Sequence, residues 1–385
     1  MSPTLPASAP ASAPVSAVRA PSGHRRAGLG RRLRTATLAV LGLMGSLVGS
    51  LVGSLVPDTA RAQAAETPVK FQLDWRFEGP SAFFLLPAAQ GLFKAEKLDV
   101  TIDAGNGSAN AINRVASGTY DMGFADMAAL MEFHANNPGA PSRPVAVMMV
   151  YNATPAAVLS LKKTGIAGPK DLAGRKLGAP VFDAGRRAFP IYAKANGIGP
   201  VNWVSMDPPL RETLLVRGDV DAITGFYFTS LLNLEARGVK AEDVAVQLYP
   251  QHGVKLYGNA IIVNEAFLKK NPEAVKGFLR AFAKGARQVI ADPKAAIGLV
   301  KARDGIIHAE LEERRLKLAI DFAVATPDAR AEGFGEVRLP RLALMASQVA
   351  DAYATKTRIN PEAVWMPGYL PAPAERDIFS VKARK

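Results

Sequence analysis

From Val69 to Val263, short β-branched or apolar runs alternate with amphipathic stretches, and this alternation constrains the chain more than any other feature. The runs at Val69–Leu73, Asp99–Ile102, Met122–Phe124, Ala146–Val150, Lys176–Ala179, Asn202–Ser205, Ala222–Thr224 and Ala260–Val263 read as strands. Helical periodicity fills the intervals at Phe83–Lys97, Ala109–Ser117, Ala128–Asn136, Arg186–Asn196, Pro209–Arg217 and Phe228–Arg237. Such a pattern calls for βα units on mainly parallel sheets, because a parallel connection has to cross the face of its sheet. Beyond Glu265 the chain turns almost wholly helical, as at Pro272–Ala291 and Glu310–Ala325. Pro272, Pro293, Pro340 and Pro361 stand where helices begin, since proline lacks only an N–H that the first turn leaves unpaired.

An internal echo points to two similar lobes. Gly118-Thr-Tyr-Asp121-Met-Gly-Phe-Ala-Asp126 is matched by Gly218-Asp-Val-Asp221-Ala-Ile-Thr-Gly-Phe226. In each, a C-cap glycine ends a helix, an aspartate opens a strand, and a loop leads to the next helix. Asp103-Ala-Gly105 and Asp183-Ala-Gly185 form a second pair, each after a strand and before a helix. The competing explanation is that such spacing is generic to βα units. Open α/β sheets bind ligands at the carboxyl ends of their strands, so two facing lobes would line one cleft.

The N-terminus has a different character. Residues 1–22 are rich in Pro, Ala and Ser; Arg25, Arg26, Arg31, Arg32 and Arg34 follow, then the uncharged stretch Ala36–Val56 and the small-residue site before Ala62. Basic, apolar and small-x-small segments in that order describe a secretory signal peptide spanning residues 1–62. Arg31-Arg32 leaves both the general and the twin-arginine export routes open. The alternative is a membrane anchor, for which 21 uncharged residues are long enough. The repeated Gly-Ser-Leu-Val from Gly45 to Val56 dilutes the hydrophobicity, however, and a cleavage-type sequence follows at once. With no cysteine, the chain has neither a lipid-anchoring thiol nor a disulfide. Seven arginines and one acid leave with the segment, so net charge falls from +13 to +7. The remaining basic residues are interspersed with acids and lack interleaved aromatics, which argues against nucleic-acid binding.

Reactive constellations are scarce. His24, His134, His252 and His308 have no metal-ligand spacing, and no Gly-x-Ser-x-Gly elbow or phosphate-binding loop occurs. Gly105-Asn-Gly107-Ser-Ala-Asn110 begins like a dinucleotide loop but carries Asn where close packing needs the third glycine. Asp74, Glu78, Asp126 and Asp183 lie near predicted loops without evident pairing. The balance favours binding over catalysis, with no cofactor and no metal.

Four ordered motifs carry a resemblance. They are Phe71-Gln-Leu-Asp-Trp75; Gly91-Leu-Phe-Lys94 with Leu98-Asp-Val100; Gly118 to Asp126; and Ile166-Ala-Gly-Pro-Lys-Asp171-Leu-Ala-Gly174-Arg-Lys-Leu-Gly178. Together, over roughly Val69 to Ala291, the chain resembles the ABC-transporter substrate-binding proteins for taurine, aliphatic sulfonates, nitrate and thiamine pyrimidine precursors. The resemblance implies a type II periplasmic-binding fold with a hinge of two crossing strands. It also implies a periplasmic location, a small-molecule ligand, a membrane permease as partner and a monomeric state. Lobe 1 would comprise residues 63–150 and 258–385, and lobe 2 residues 151–257. Lobes joined by crossing strands would share little direct interface. The same fold group contains a pyrimidine synthase, whose cysteine-rich motif this chain lacks; a ligand-sensing extracytoplasmic module is a further alternative.

Mapped onto the sequence, the ligand contacts expected from lobe 1 are Asp74, Trp75 and Phe77 after the first strand, Gly107 and Ser108 in the next turn, and Asp126 at a later strand end. Trp75 is either a site residue or core, and Ser108 either an anion ligand or a helix cap. Tyr151, Asn152 and Tyr257 fall at the presumed crossings. From lobe 2 come Asp183, Gly185, Arg186, Gly225 and Tyr227. Asp183 and Arg186 stand where relatives carry small hydroxyl residues, and Asp183 would repel a simple anion. Aromatics with mixed charges suit an aromatic or heteroaromatic ligand with polar substituents.

The exported protein should lack residues 1–62, and N-terminal sequencing of periplasmic material should begin at Gln63 or, for the second cleavage option, Ala65. Full-length chain recovered in the membrane fraction would overturn this.

Overall fold

The computed structural model describes residues 65–353 and 355–380, so the expected signal segment lies outside the described residues. Ten strands form in order: β1 (Thr67–Gln72), β2 (Leu98–Asp103), β3 (Met122–Asp126), β4 (Val145–Met149), β5 (Ala156–Leu161), β6 (Lys176–Gly178), β7 (Asn202–Val204), β8 (Ala222–Phe226), β9 (Val244–Leu248) and β10 (Asn259–Val263). The helices between them are α1 (Ala82–Ala89), α2 (Leu92–Ala95), α3 (Ser108–Ala116), α4 (Met127–Asn136), α5 (Ala184–Asn196), α6 (Arg211–Arg217) and α7 (Tyr227–Glu235). The C-terminal part adds α8 (Glu265–Lys270), α9 (Pro272–Ala291), α10 (Pro293–Arg303), α11 (Ala309–Ala319), α12 (Pro327–Glu332), α13 (Leu339–Tyr353) and α14 (Pro361–Val364). The expected single helix Phe83–Lys97 is two, because the chain turns at Gly91 with φ of 69°.

The strands make two five-stranded sheets, ordered β2-β1-β3-β10-β4 and β7-β6-β8-β5-β9. Within each, four strands run one way and the fifth, β10 or β5, runs against them. Each antiparallel strand is the first after a crossing, so the chain reaches the second sheet after β4 and returns after β9. This is the two-sheet α/β architecture that the resemblance implied.

The two sheets are built alike, with β6 in the place of β1, β7 of β2, β8 of β3 and β9 of β4. The echo around Asp121 and Asp221 has a physical basis in this equivalence. Asp121 Oδ2 accepts the Lys70 N–H at 2.8 Å, and Asp221 Oδ2 accepts the Lys176 N–H at 2.8 Å. Each carboxylate fastens the start of one strand to its neighbour, just after a glycine in the left-handed region (Gly118, φ 77°; Gly218, φ 81°). The second echo does not hold. Asp103 ends β2, whereas Asp183 follows β6, the counterpart of β1; the true counterpart of Asp183 is Asp74.

Phe71, Phe84, Phe93, Phe278 and Phe282 pack ring against ring, with centroids 4.7–5.1 Å apart, and tie α9 to the first sheet. The expectation of little interface between lobes is corrected. Helix α13 packs against both α4 and α5, and one buried apolar cluster runs from Met131 through Leu342 and Met345 to Phe189 and Tyr192.

Asp121→Ala and Asp221→Ala should each lower stability by about 0.5–1.5 kcal/mol, the net worth of one hydrogen bond, without changing the fold. Urea unfolding of the matched pair checks this, and unequal or null effects would refute the structural equivalence.

Candidate functional site

A cavity of about 50 Å³ opens where the carboxyl ends of the parallel strands of both sheets meet. Asp74 and Trp75 reach it from the loop after β1, Gly107 and Ser108 from the turn after β2, and Phe124 from β3. Across from them stand Asp183 after β6, Arg211 at the start of α6, and Phe226, Phe228 and Thr229 around the β8–α7 junction.

Arg211 is the principal residue that sequence reasoning missed. Its side chain is 1% exposed, with Nη1 donating to Asp183 Oδ2 at 3.1 Å and Nε to Glu212 Oε1 at 2.9 Å. Its guanidinium carbon lies 4.9 Å from the centre of the Trp75 ring, a cation–π contact from one sheet's loop to the other's helix. A Cβ at Gly225 would come within 2.6 Å of Arg211 Nη1, so a larger residue there would displace the guanidinium. The Arg-Glu pair at the start of an amphipathic helix looks like a solvated face in sequence; only Pro208-Pro209 before it hinted at a fixed entry angle.

A second buried guanidinium, Arg315 of α11, bonds Glu312 through Nε at 2.9 Å and the Thr229 carbonyl through Nη1 at 2.8 Å. It lies 3.4 Å from Glu78, which also accepts from Thr229 Oγ1 at 2.9 Å. Burial works against ionisation of Glu78, but Arg315 and Arg76 outweigh it and hold the carboxyl below its usual range. Asp74 has no such partner. Burial pushes its carboxyl up to about 7, against the opposing Asn259 amide, which donates to Oδ2 at 2.7 Å. Asp183 is also raised by burial, with Arg211 opposing.

Of the residues expected from sequence, Asp74, Trp75, Gly107, Ser108 and Asp183 meet at the cavity. The others are placed elsewhere. In the turn before α3, the Gly105 and Gly107 N–H groups are taken up by the Trp75 and Asp74 carbonyls at 2.9 and 2.6 Å. Asp126 caps α4 by accepting the Ala129 N–H at 3.0 Å. Phe77 lies under Arg303, and Tyr151 is buried behind the cavity against Phe124, Phe226 and Phe228. Asn152 and Tyr257 sit at the crossings, both in contact with Arg341. Gly185 backs onto Gly225. Arg186 turns outward, bonding the Ala179 carbonyl and Ser205 and covering Trp203. Tyr227 packs on Phe322 at 5.0 Å; it belongs to the helix, and its neighbours Phe226 and Phe228 line the cavity instead.

The site thus offers aromatic walls, a fixed guanidinium–carboxylate pair, a carboxyl poised near neutrality and an indole N–H (Trp75 Nε1) that is buried without a hydrogen-bond partner among the described residues. No group of three or more potential metal ligands gathers among those residues.

A family model described as "NMT1/THI5 like" matches residues 80–296. The chain is 27% identical over 244 residues to a 4-amino-5-hydroxymethyl-2-methylpyrimidine phosphate synthase of Aspergillus parasiticus, covering 59% of this chain and 68% of that protein. It is 27% identical over 224 residues to the riboflavin-binding protein RibY of Chloroflexus aurantiacus, covering 56% of this chain and 60% of that one. Among solved structures, the periplasmic aliphatic sulphonate binding protein SsuA from Escherichia coli superposes with a TM-score of 0.61 at 14% identity, over 80% of this chain and 95% of that one. That likeness establishes the periplasmic-binding-protein fold.

Because the folded pKa of Asp74 is raised from 3.8 to about 7, the native protein keeps a proton that the unfolded chain releases, and stability falls as pH rises through that window. Asp74→Asn should therefore be favoured over the parent more at pH 8 than at pH 4, by about 1 kcal/mol or more. Equal differences at both pH values in urea unfolding would show that Asp74 ionises normally.

Proposed function

The chain belongs to the NMT1/THI5-like family, and from that premise we propose that it is the periplasmic solute-binding component of an ABC importer. It captures a small, flat heteroaromatic molecule carrying amino or ring-nitrogen groups, passes it to a membrane permease, works as a monomer and catalyses no reaction. The observation that carries this reading is the cavity at the facing strand ends, where Trp75 and Arg211 approach from opposite sheets.

The chemistry of the walls selects the ligand class. A sulfonate or nitrate would meet Asp74, Glu78 and Asp183 with two arginines already engaged by carboxylates, so desolvating an anion here has little to offset it. A heterocycle with both donors and acceptors suits the site better. Its amino group can donate to Asp74, and a ring nitrogen or carbonyl can accept from Trp75 Nε1. The ring gains apolar burial and stacking, worth roughly 0.5–1.5 kcal/mol beyond area for each aromatic pair.

The cavity's 50 Å³ is far below what a ring needs; an apolar cavity that takes up benzene measures roughly 150 Å³. Binding therefore requires the two sheets to move apart and close again around the ligand. The pyrimidine phosphate synthases among the relatives keep an enzymatic reading in contention, with the same ligand class bound at the same cavity.

Native mass spectrometry of protein purified without denaturation should reveal the retained ligand, with the pyrimidine and riboflavin named in the relatives as first comparisons. In calorimetric titration of that ligand, Trp75→Ala and Asp74→Asn should each lose about 2 kcal/mol or more, as buried anchors do. Tyr227→Ala and Arg186→Ala should bind within about 0.5 kcal/mol of the parent, as substitutions outside a site do. The reverse ranking would move the site; a change in ligand mass during incubation would favour the enzyme.

A further inference from the structure

The two crossings between the sheets are themselves hydrogen bonded. Thr154 N–H donates to the Leu256 carbonyl at 3.1 Å, and Gly258 N–H to the Tyr151 carbonyl at 2.8 Å. A side chain from far along the sequence spans both. Arg341, near the start of α13, donates through Nη2 to the Asn152 carbonyl at 2.7 Å and to the Leu256 carbonyl at 3.2 Å. Its Nη1 donates to Asn152 Oδ1 at 3.2 Å, and its guanidinium carbon lies over the Tyr257 ring, 3.9 Å from the centre.

The surroundings hold this arrangement in place. Thr326 Oγ1 donates to the same Asn152 oxygen at 2.9 Å, the Tyr257 hydroxyl accepts the Arg338 N–H at 2.9 Å, and Asp328 lies 3.5 Å from Arg341. Asn152 belongs to the outgoing crossing, and Leu256 and Tyr257 to the returning one. One planar, forked cation therefore clips together the two strands about which the sheets must rotate, and couples them to a helix packed on both α4 and α5.

We propose that Arg341 is a positioning residue that sets the angle between the two sheets, and through it the balance between open and closed forms on which ligand uptake and release depend. Opening twists the crossings relative to one another, which separates the Asn152 and Leu256 carbonyls and breaks the fork. Closure restores it. The proposal deepens the capture reading, but its test needs no ligand and so can fail separately from that reading.

The chain has no cysteine, so two can be introduced cleanly at exposed positions, Asp99→Cys on β2 of the first sheet and Lys163→Cys in the turn after β5 of the second, and spin-labelled. Pulsed dipolar spectroscopy then reads the distance between the sheets in the full chain. In this background Arg341→Ala should broaden the distance distribution roughly two-fold and extend it to longer values, since the open form becomes accessible. Arg341→Lys, which keeps the charge but loses the fork, should lie between Ala and the parent, and it decides the matter if the alanine variant does not fold. Distributions superimposable on the parent's for the folded variants would overturn the proposal. So would a lower unfolding temperature with unchanged distances, which would make Arg341 a stabilising residue only.

Discussion

The buried guanidinium of Arg211 is the interaction on which the site depends. A charge removed from water is tolerated only when it is paired and hydrogen bonded, and Arg211 meets this through Asp183 on one side and Glu212 on the other. Removing one partner of such a pair typically costs about 3–5 kcal/mol, because the other charge stays buried. The consequences spread outward. Gly225 leaves room for the guanidinium, Asp183 follows β6 with its second oxygen capping α5, and Trp75 meets the guanidinium with its ring from the opposite sheet. The cavity's wall is thus already ordered before any ligand arrives, which lowers the entropy cost of capture.

The like topology of the two sheets accounts for their complementary walls. Asp74 follows β1 as Asp183 follows β6, so each lobe delivers an aspartate to the same cleft from the same place in its fold. Their surroundings then diverge. Asp183 meets a guanidinium, whereas Asp74 meets an amide and a hydroxyl, Asn259 and Ser108. One carboxyl is paired with a guanidinium, and the other is raised by burial to about 7.

Much of this was legible in the sequence, for identifiable reasons. Helix and strand periods around Val69–Val263 revealed the βα order, and the prolines marked helix starts because their effect is local. The Asp121 and Asp221 echo was readable because each aspartate serves a backbone N–H at a fixed offset. Two strands were missed. β5 follows directly on a crossing and β9 leads into one, so neither is framed by a helix on both sides. The site was half legible: strand-end position found Asp74, Trp75 and Asp183. It chose Tyr227, whereas Phe226 and Phe228 line the cavity, because the helix begins at Tyr227 and rotates each side chain by a helical step instead of alternating faces. Arg211 and Arg315 escaped because their partners lie 28 and 237 residues away, and burial of a charge is decided by such distant pairing.

The shared core raises the question of how the lobes can part at all. The seam between them is energetically uneven. Its solvent-reaching part holds the Ala109–Phe182 hydrogen bond, the Glu132–Arg187 pair and, on the far side, Arg314–Glu235, while beside the cavity it also holds the buried Trp75–Arg211 contact and the bonds of Arg315 and Glu78 to Thr229. The solvent-reaching contacts contribute about 1 kcal/mol or less each and exchange readily with water, whereas the buried bonds of Arg315 and Glu78 are lost only if they are re-formed elsewhere. Towards the crossings the seam becomes apolar, with Leu342, Met345 and Val349 of α13 wholly buried among residues of both sheets. Breaking that part would expose large apolar area at roughly 25 cal/mol per Å². The path of least cost is therefore rotation, in which the polar mouth opens while α13 remains seated and the crossings twist beneath it. The same helix that prevents the lobes from separating freely would define the axis of such a rotation.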